Sequence, residues 1–77
     1  MKIHIEYAAL LELQGAANGA ALEVPEGSTP ADLLTQFKVR PEHQKFVIPF
    51  VNNEKKKLSA KLKDNDRLFL SLPVGGG

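Results

Sequence analysis

One stretch, PEGSTPADLLTQF at residues 25–37, is written for the start of a helix, while most other apolar runs alternate. Pro25 to Gly27 predict a tight turn. Thr29 suits an N-cap, Pro30 the first helical position, and Asp32 follows the cap by three residues. Its carboxylate also meets the positive end of the helix dipole. Ala31, Leu34 and Phe37 form one apolar stripe with Leu33 beside it. A lone helix with one apolar stripe must bury it against something else, and the rest of the chain offers strands. These hydroxyl and acidic groups therefore read as caps, ahead of any catalytic use.

The strands follow from period two. In KIHIEY, Ile3, Ile5 and Tyr7 face one way and Lys2, His4 and Glu6 the other. AALLELQG favours a short helix or turn over residues 8–14, ended by Gly15. Asn18-Gly19 marks a turn into a second strand, NGAALEV, with Leu22 and Val24 inward. Pro41 and RPEHQK predict a connection. FVIPFVN is strand-like, and Pro49 within it argues for an edge or a bulge. NNEKKKLS supplies a turn and a short returning segment, and Asp64, Asn65 and Asp66 form another turn. In RLFLSL, Leu68, Leu70 and Leu72 share one face and Phe69 takes the other. A strand apolar on both faces belongs in the middle of a sheet.

The order is strand, short helix, strand, helix, then two or three strands. This predicts an α+β fold, a mixed sheet with one main helix packed across it and the first and last strands as the central pair. A β-grasp (ubiquitin-like) roll satisfies it. A ferredoxin-like fold would need a second long helix late in the chain. Residues 1–71 form the expected domain, and 72–77 a flexible tail.

Composition narrows the chemistry. Seventy-seven residues give one small core. Net charge is +1, against the strong basic excess of a nucleic-acid binder. With no cysteine there is no disulfide and no thiol nucleophile. His4 and His43, the only imidazoles, are read as surface residues, so no metal site is expected. No apolar run approaches the ~20 residues needed to cross a bilayer, and the N-terminal stretch lacks a signal-peptide core, so a cytoplasmic protein without membrane or nucleic-acid partners is expected. No nucleophile elbow, P-loop or facing carboxylate pair is visible. Lys55–Lys57, with Lys61 and Lys63, form one local basic excess. It reads first as a solvated hairpin tip and second as an electrostatic guide for an acidic partner.

The sequence ends LPVGGG. Glycine lacks Cβ, so such a tail can enter a channel too narrow for side chains. Leu72, Pro73 and Val74 form an apolar, stiffened lead-in that suits an anchor on a partner. Gly75 and Gly76 would pass the channel. The carboxylate of Gly77, a poor electrophile, would need activation, for instance as an acyl-adenylate.

Taken together, YAALLELQGA, LEVPEGSTPADLL, FVN and LKDNDRLFLSLPVGGG resemble the ubiquitin-like sulfur carriers (MoaD/ThiS-like), nearest to the small subunit of molybdopterin synthase. The resemblance spans nearly the whole chain. It places Gly76 and Gly77 on the family's terminal glycine pair, Pro73 and Val74 on its lead-in, and Asp64–Asp66 on a structural turn. Leu11 stands where the family often has arginine, Asn65 replaces a turn glycine, Leu72 replaces a proline, and Gly75 is additional. The resemblance implies a carrier without catalytic side chains or bound cofactor. A ubiquitin-activating-type adenylating enzyme would use ATP on Gly77. A sulfur donor enzyme would make the thiocarboxylate, and the molybdopterin synthase large subunit would receive the tail. The alternatives are a thiamine-pathway sulfur carrier, a protein modifier joined to lysines, and a plain binding module with a frayed end.

Overall fold

The computed structural model describes residues 1–73. Five strands and two short helices occur in the order β1 (Lys2–Tyr7), β2 (Ala21–Glu23), α1 (Pro30–Gln36), α2 (Pro41–Gln44), β3 (Ile48–Val51), β4 (Glu54–Lys55) and β5 (Arg67–Ser71). The sheet order is β2-β1-β5-β3-β4. The first and last strands are the parallel pair, with Ile5 beside Leu68 and Tyr7 beside Leu70; every other pairing is antiparallel. The β-grasp expectation therefore holds, and β5 lies at the centre.

Alternation decides which face is covered. Ile3 and Ile5 of β1 and Leu68 and Leu70 of β5 are buried, and they cluster with Leu33 and Leu34 of α1. Lys2, His4, Glu6, Arg67 and Phe69 lie on the uncovered face. Phe69 is 41% exposed, so the central strand is apolar on both faces but covered on one. The Phe50 and Phe69 rings pack there, 6.5 Å between centroids and tilted by 45°.

Helix α1 is held by its cap. The Thr29 side chain accepts from the Asp32 N–H at 3.1 Å, and the Asp32 carboxylate accepts from the Thr29 N–H at 3.0 Å. Two amides with no partner inside the helix are satisfied in this way. The buried stripe is Pro30, Leu33, Leu34 and Phe37; Ala31, expected on it, lies half-buried at its margin. The helix closes with Lys38 N–H to Thr35 C=O and Val39 N–H to Leu34 C=O, a Schellman arrangement. That closure sets Lys38 at φ +69°, where glycine is usual. At seven residues, α1 is shorter than a dominant helix.

Three local expectations change. Residues 8–14 form no helix: Leu11 and Leu13 are buried while Leu10, Glu12 and Gln14 are exposed. That is period two, which an extended segment satisfies and a helix does not. Residues 41–44, expected as a connection, form the one-turn helix α2, with Pro41 at its start. Leu22, expected inward, is only half-buried because β2 is a three-residue edge strand, while Val24 is buried. Pro49 is partly explained by the edge argument. Its carbonyl accepts from Lys56 N–H, so its donor-less nitrogen faces β4, a two-residue strand, and costs no bond to β5.

Three polar devices hold the sheet ends. Asn52 and Asn53 both have positive φ, the backbone of a tight primed hairpin turn between β3 and β4. The Asn52 amide also reaches back, accepting from Arg67 N–H at 3.0 Å and donating to Asp66 at 3.0 Å. At the turn before β5, Asp64 accepts from Lys2 N–H at 2.8 Å and Asp66 from Lys63 N–H at 2.8 Å. Asn65 takes the left-handed conformation, φ +68°. On the other side, Asn18 extends the ladder beyond β2. Its side chain accepts from Tyr7 N–H at 3.0 Å and donates to Tyr7 C=O at 2.7 Å.

Candidate functional site: the root of the tail

Strand β5 delivers the chain to the tail from the most constrained position in the sheet, paired with β1 on one side and β3 on the other. Its last bonds are firm. Ala8 N–H donates to Leu70 C=O at 2.9 Å, and the Ser71 hydroxyl donates to Ile48 C=O at 3.1 Å. Leu72 is half-buried against the core, and Pro73 is exposed. Leu72 thus continues the core past the end of β5. Val74, Gly75, Gly76 and Gly77 lie outside the described residues.

Around Leu72 the surface forms an open groove of about 380 Å³. Leu10 and Leu11 line one part of it and Phe46 another. Leu10 is 74% exposed and Phe46 is 55% exposed. Lys38, Arg40 and His43 also line it, with Glu12 as its acidic member. Lys45 sits over the Phe46 ring, 5.4 Å from its centroid, so the ring is already polarised toward a cation.

The fold assembles this groove from three places. Leu10 projects because the period-two burial of Leu11 and Leu13 leaves it outward. Lys38 projects because the helix closes through it. Phe46 follows α2, whose Gln44 amide donates to Val39 C=O at 2.9 Å and fixes the loop. Sequence reasoning missed these residues. The one available signal was the doubled leucine at residues 10–11, which period two cannot bury on both sides.

The aspartates lie elsewhere. Asp32 caps α1, and Asp64 and Asp66 close the turn before β5. Among the described residues, no group of three or more His, Asp or Glu side chains could hold a metal ion. Ser28, a buried polar residue, donates to Pro25 C=O at 2.7 Å, which occupies its hydroxyl locally. Lys55, Lys56 and Lys57 run along β4 and beyond it, exposed, with Lys56 3.4 Å from Glu54. No helix among the described residues is long and apolar enough to cross a membrane.

The chain was compared with known proteins. The sequence pattern of the ThiS family matches residues 7–77. No match was found among curated proteins. Among solved structures, a protein described as molybdopterin converting factor, subunit 1, from Pyrococcus furiosus is 28% identical. It superposes with a TM-score of 0.67 over 95% of this chain and 98% of its own. SAMP1 from Haloferax volcanii superposes equally well, TM-score 0.67 over 100% of both chains, at 21% identity, and so shares the fold. The family pattern covers residues 7–77 of a chain folded as a five-stranded β-grasp sheet, and this chain belongs to the ThiS family of ubiquitin-like sulfur carriers.

Proposed function

We propose that the carboxylate of Gly77 is adenylated by a ubiquitin-activating-type enzyme using ATP and is then converted to a thiocarboxylate by a sulfur donor enzyme. The observation that carries this reading is the tail's origin. Leu72 and Pro73 leave the centre of the sheet, and three glycines follow within a sequence matched to the family through residue 77. A tail that starts from a rigid strand leaves the body at a defined place, and glycines would let it enter a narrow channel. In this reading Leu72, Pro73 and Val74 hold the partner, Gly75 and Gly76 pass the channel, and Gly77 reacts.

The carrier supplies no catalytic side chain and binds no cofactor itself. The carboxylate attacks the α-phosphorus of ATP, pyrophosphate leaves, and sulfur then replaces AMP. The adenylating enzyme and a larger acceptor enzyme provide the catalytic groups. The likeness to a molybdopterin converting factor subunit supports molybdopterin synthesis as the destination, with the molybdopterin synthase large subunit as acceptor. A cytoplasmic location accords with that chemistry.

Intact-mass measurement tests the reading. Incubation with ATP, a sulfur source and the adenylating enzyme is expected to add the mass of one oxygen-for-sulfur exchange. Deletion of Gly77 is expected to abolish it; an unchanged shift after the deletion would sink the proposal. Delivery of sulfur to a thiazole precursor and not to a pterin would redirect the destination to thiamine synthesis. Recovery of the chain on lysines of many proteins would favour a modifier.

A further inference from the structure

Three large apolar side chains are exposed among the described residues: Leu10, Phe46 and Phe69. Phe69 lies in mid-sheet. Leu10 and Phe46 come from separate loops, yet both line the groove beside Leu72. Exposed apolar groups that converge in one concavity are more informative than scattered ones. The charge around them is one-sided: Lys38 and Arg40 line the groove against Glu12, and Lys45 lies over Phe46. Lys38 also holds a left-handed backbone that a glycine would adopt without strain, φ +69°, and it lines the groove.

Chain length fixes what must meet this surface. From Pro73 to Gly77 is five residues, an extended reach of at most roughly 17 Å. An enzyme that holds Gly77 in its catalytic pocket therefore brings its own surface against the body around Leu72. We propose that this groove docks the adenylating enzyme, and that the enzyme fills it with an apolar side chain flanked by carboxylates. The inference rests on the carrier reading above and adds the partner surface to it. The apolar contact lies between Leu10 and Phe46, and the carboxylates face Lys38 and Arg40. Docking at the root makes insertion of the tail an intramolecular event, so the short glycine segment need not supply affinity alone.

The experiment is ATP–pyrophosphate exchange catalysed by the adenylating enzyme of the same organism, with the full chain as the varied substrate. The variants are the pair Leu10→Asp, Phe46→Asp and, separately, Arg40→Glu. All three positions are exposed, and thermal melting monitors folding. The paired change is expected to raise KM for the carrier by about tenfold or more, as loss of a central interface anchor does. Arg40→Glu is expected to raise KM and to flatten its salt dependence. Unchanged KM in folded variants overturns the proposal, as does a loss confined to Phe69→Asp on the open sheet face. If the unaltered chain supports no exchange, the carrier reading falls and the docking site falls with it; exchange with unaffected variants removes the docking site alone.

Discussion

At the scale of single residues, Lys38 and Asn65 both hold left-handed backbone, and they differ in what that costs. Asparagine tolerates the conformation, and Asn65 stands where the resembling family has a turn glycine. Lysine gains nothing locally from it. Lys38→Gly is expected to stabilise the fold by about 0.5 kcal/mol, the strain relieved less the extra entropy glycine brings to the unfolded chain. A denaturant midpoint shifted upward would show it. The same change removes a cation from the tail-root groove, so stability and partner affinity should move in opposite directions. Thr29 gives the converse case. Its hydroxyl accepts from the Asp32 N–H, and Thr29→Ala is expected to cost about 1 kcal/mol, read as a lower midpoint with an unchanged denaturant slope. Both halves of this cap were legible in the sequence because a capping box is local chemistry, written within four residues. The Lys38 conformation was not legible, since a lysine carries no signal for positive φ.

Among the elements, β5 carries the sheet. Leu68 and Leu70 are buried between α1 and the neighbouring strands, so Leu70→Ala is expected to cost about 2–5 kcal/mol by cavity formation. For a domain of this size that is a large share of total stability, and calorimetry would show a sharply lower melting temperature. The central pairing of the first and last strands was legible because alternation in KIHIEY and RLFLSL marks both strands and their inward faces. Helix α2 was not, because one turn is too short to show a helical period. The segment at residues 8–14 misled in the other direction. Its alanines and leucines favour helix one by one, but Leu11 and Leu13 are drawn into the core two apart, and burial outweighed a propensity of a few tenths of a kcal/mol per residue. Asn52 and Asp66 tie two turns together through one amide–carboxylate bond of 3.0 Å. Asp66→Ala also leaves the Lys63 backbone amide without its partner, and faster hydrogen exchange at the Lys63 backbone amide and the Asn52 side-chain amide is the expected signature.

For the whole molecule, membership of the carrier family was legible in the sequence and the surroundings of the tail's root were not. LPVGGG could be read residue by residue, whereas the groove needs Leu10, Lys38 and Phe46 brought together by folding. A further consequence lies in how the two borders of the sheet are finished. A bare strand border is a template for pairing with another chain. On one side the border strand β2 is only three residues long, and past its end the Asn18 side chain takes both polar groups of Tyr7 on β1, as the next residue of a strand would. At the opposite border, β4 is two residues long and is followed by lysines. One border is short and is continued past its end by an imitation of backbone; the other is short and is followed by charge. Asn18→Ala would remove that imitation. The expected result is concentration-dependent self-association, seen as a rising apparent mass in sedimentation, while the unaltered protein keeps its mass. Borders this short and interrupted leave little template on which one copy of the chain could extend the sheet of another.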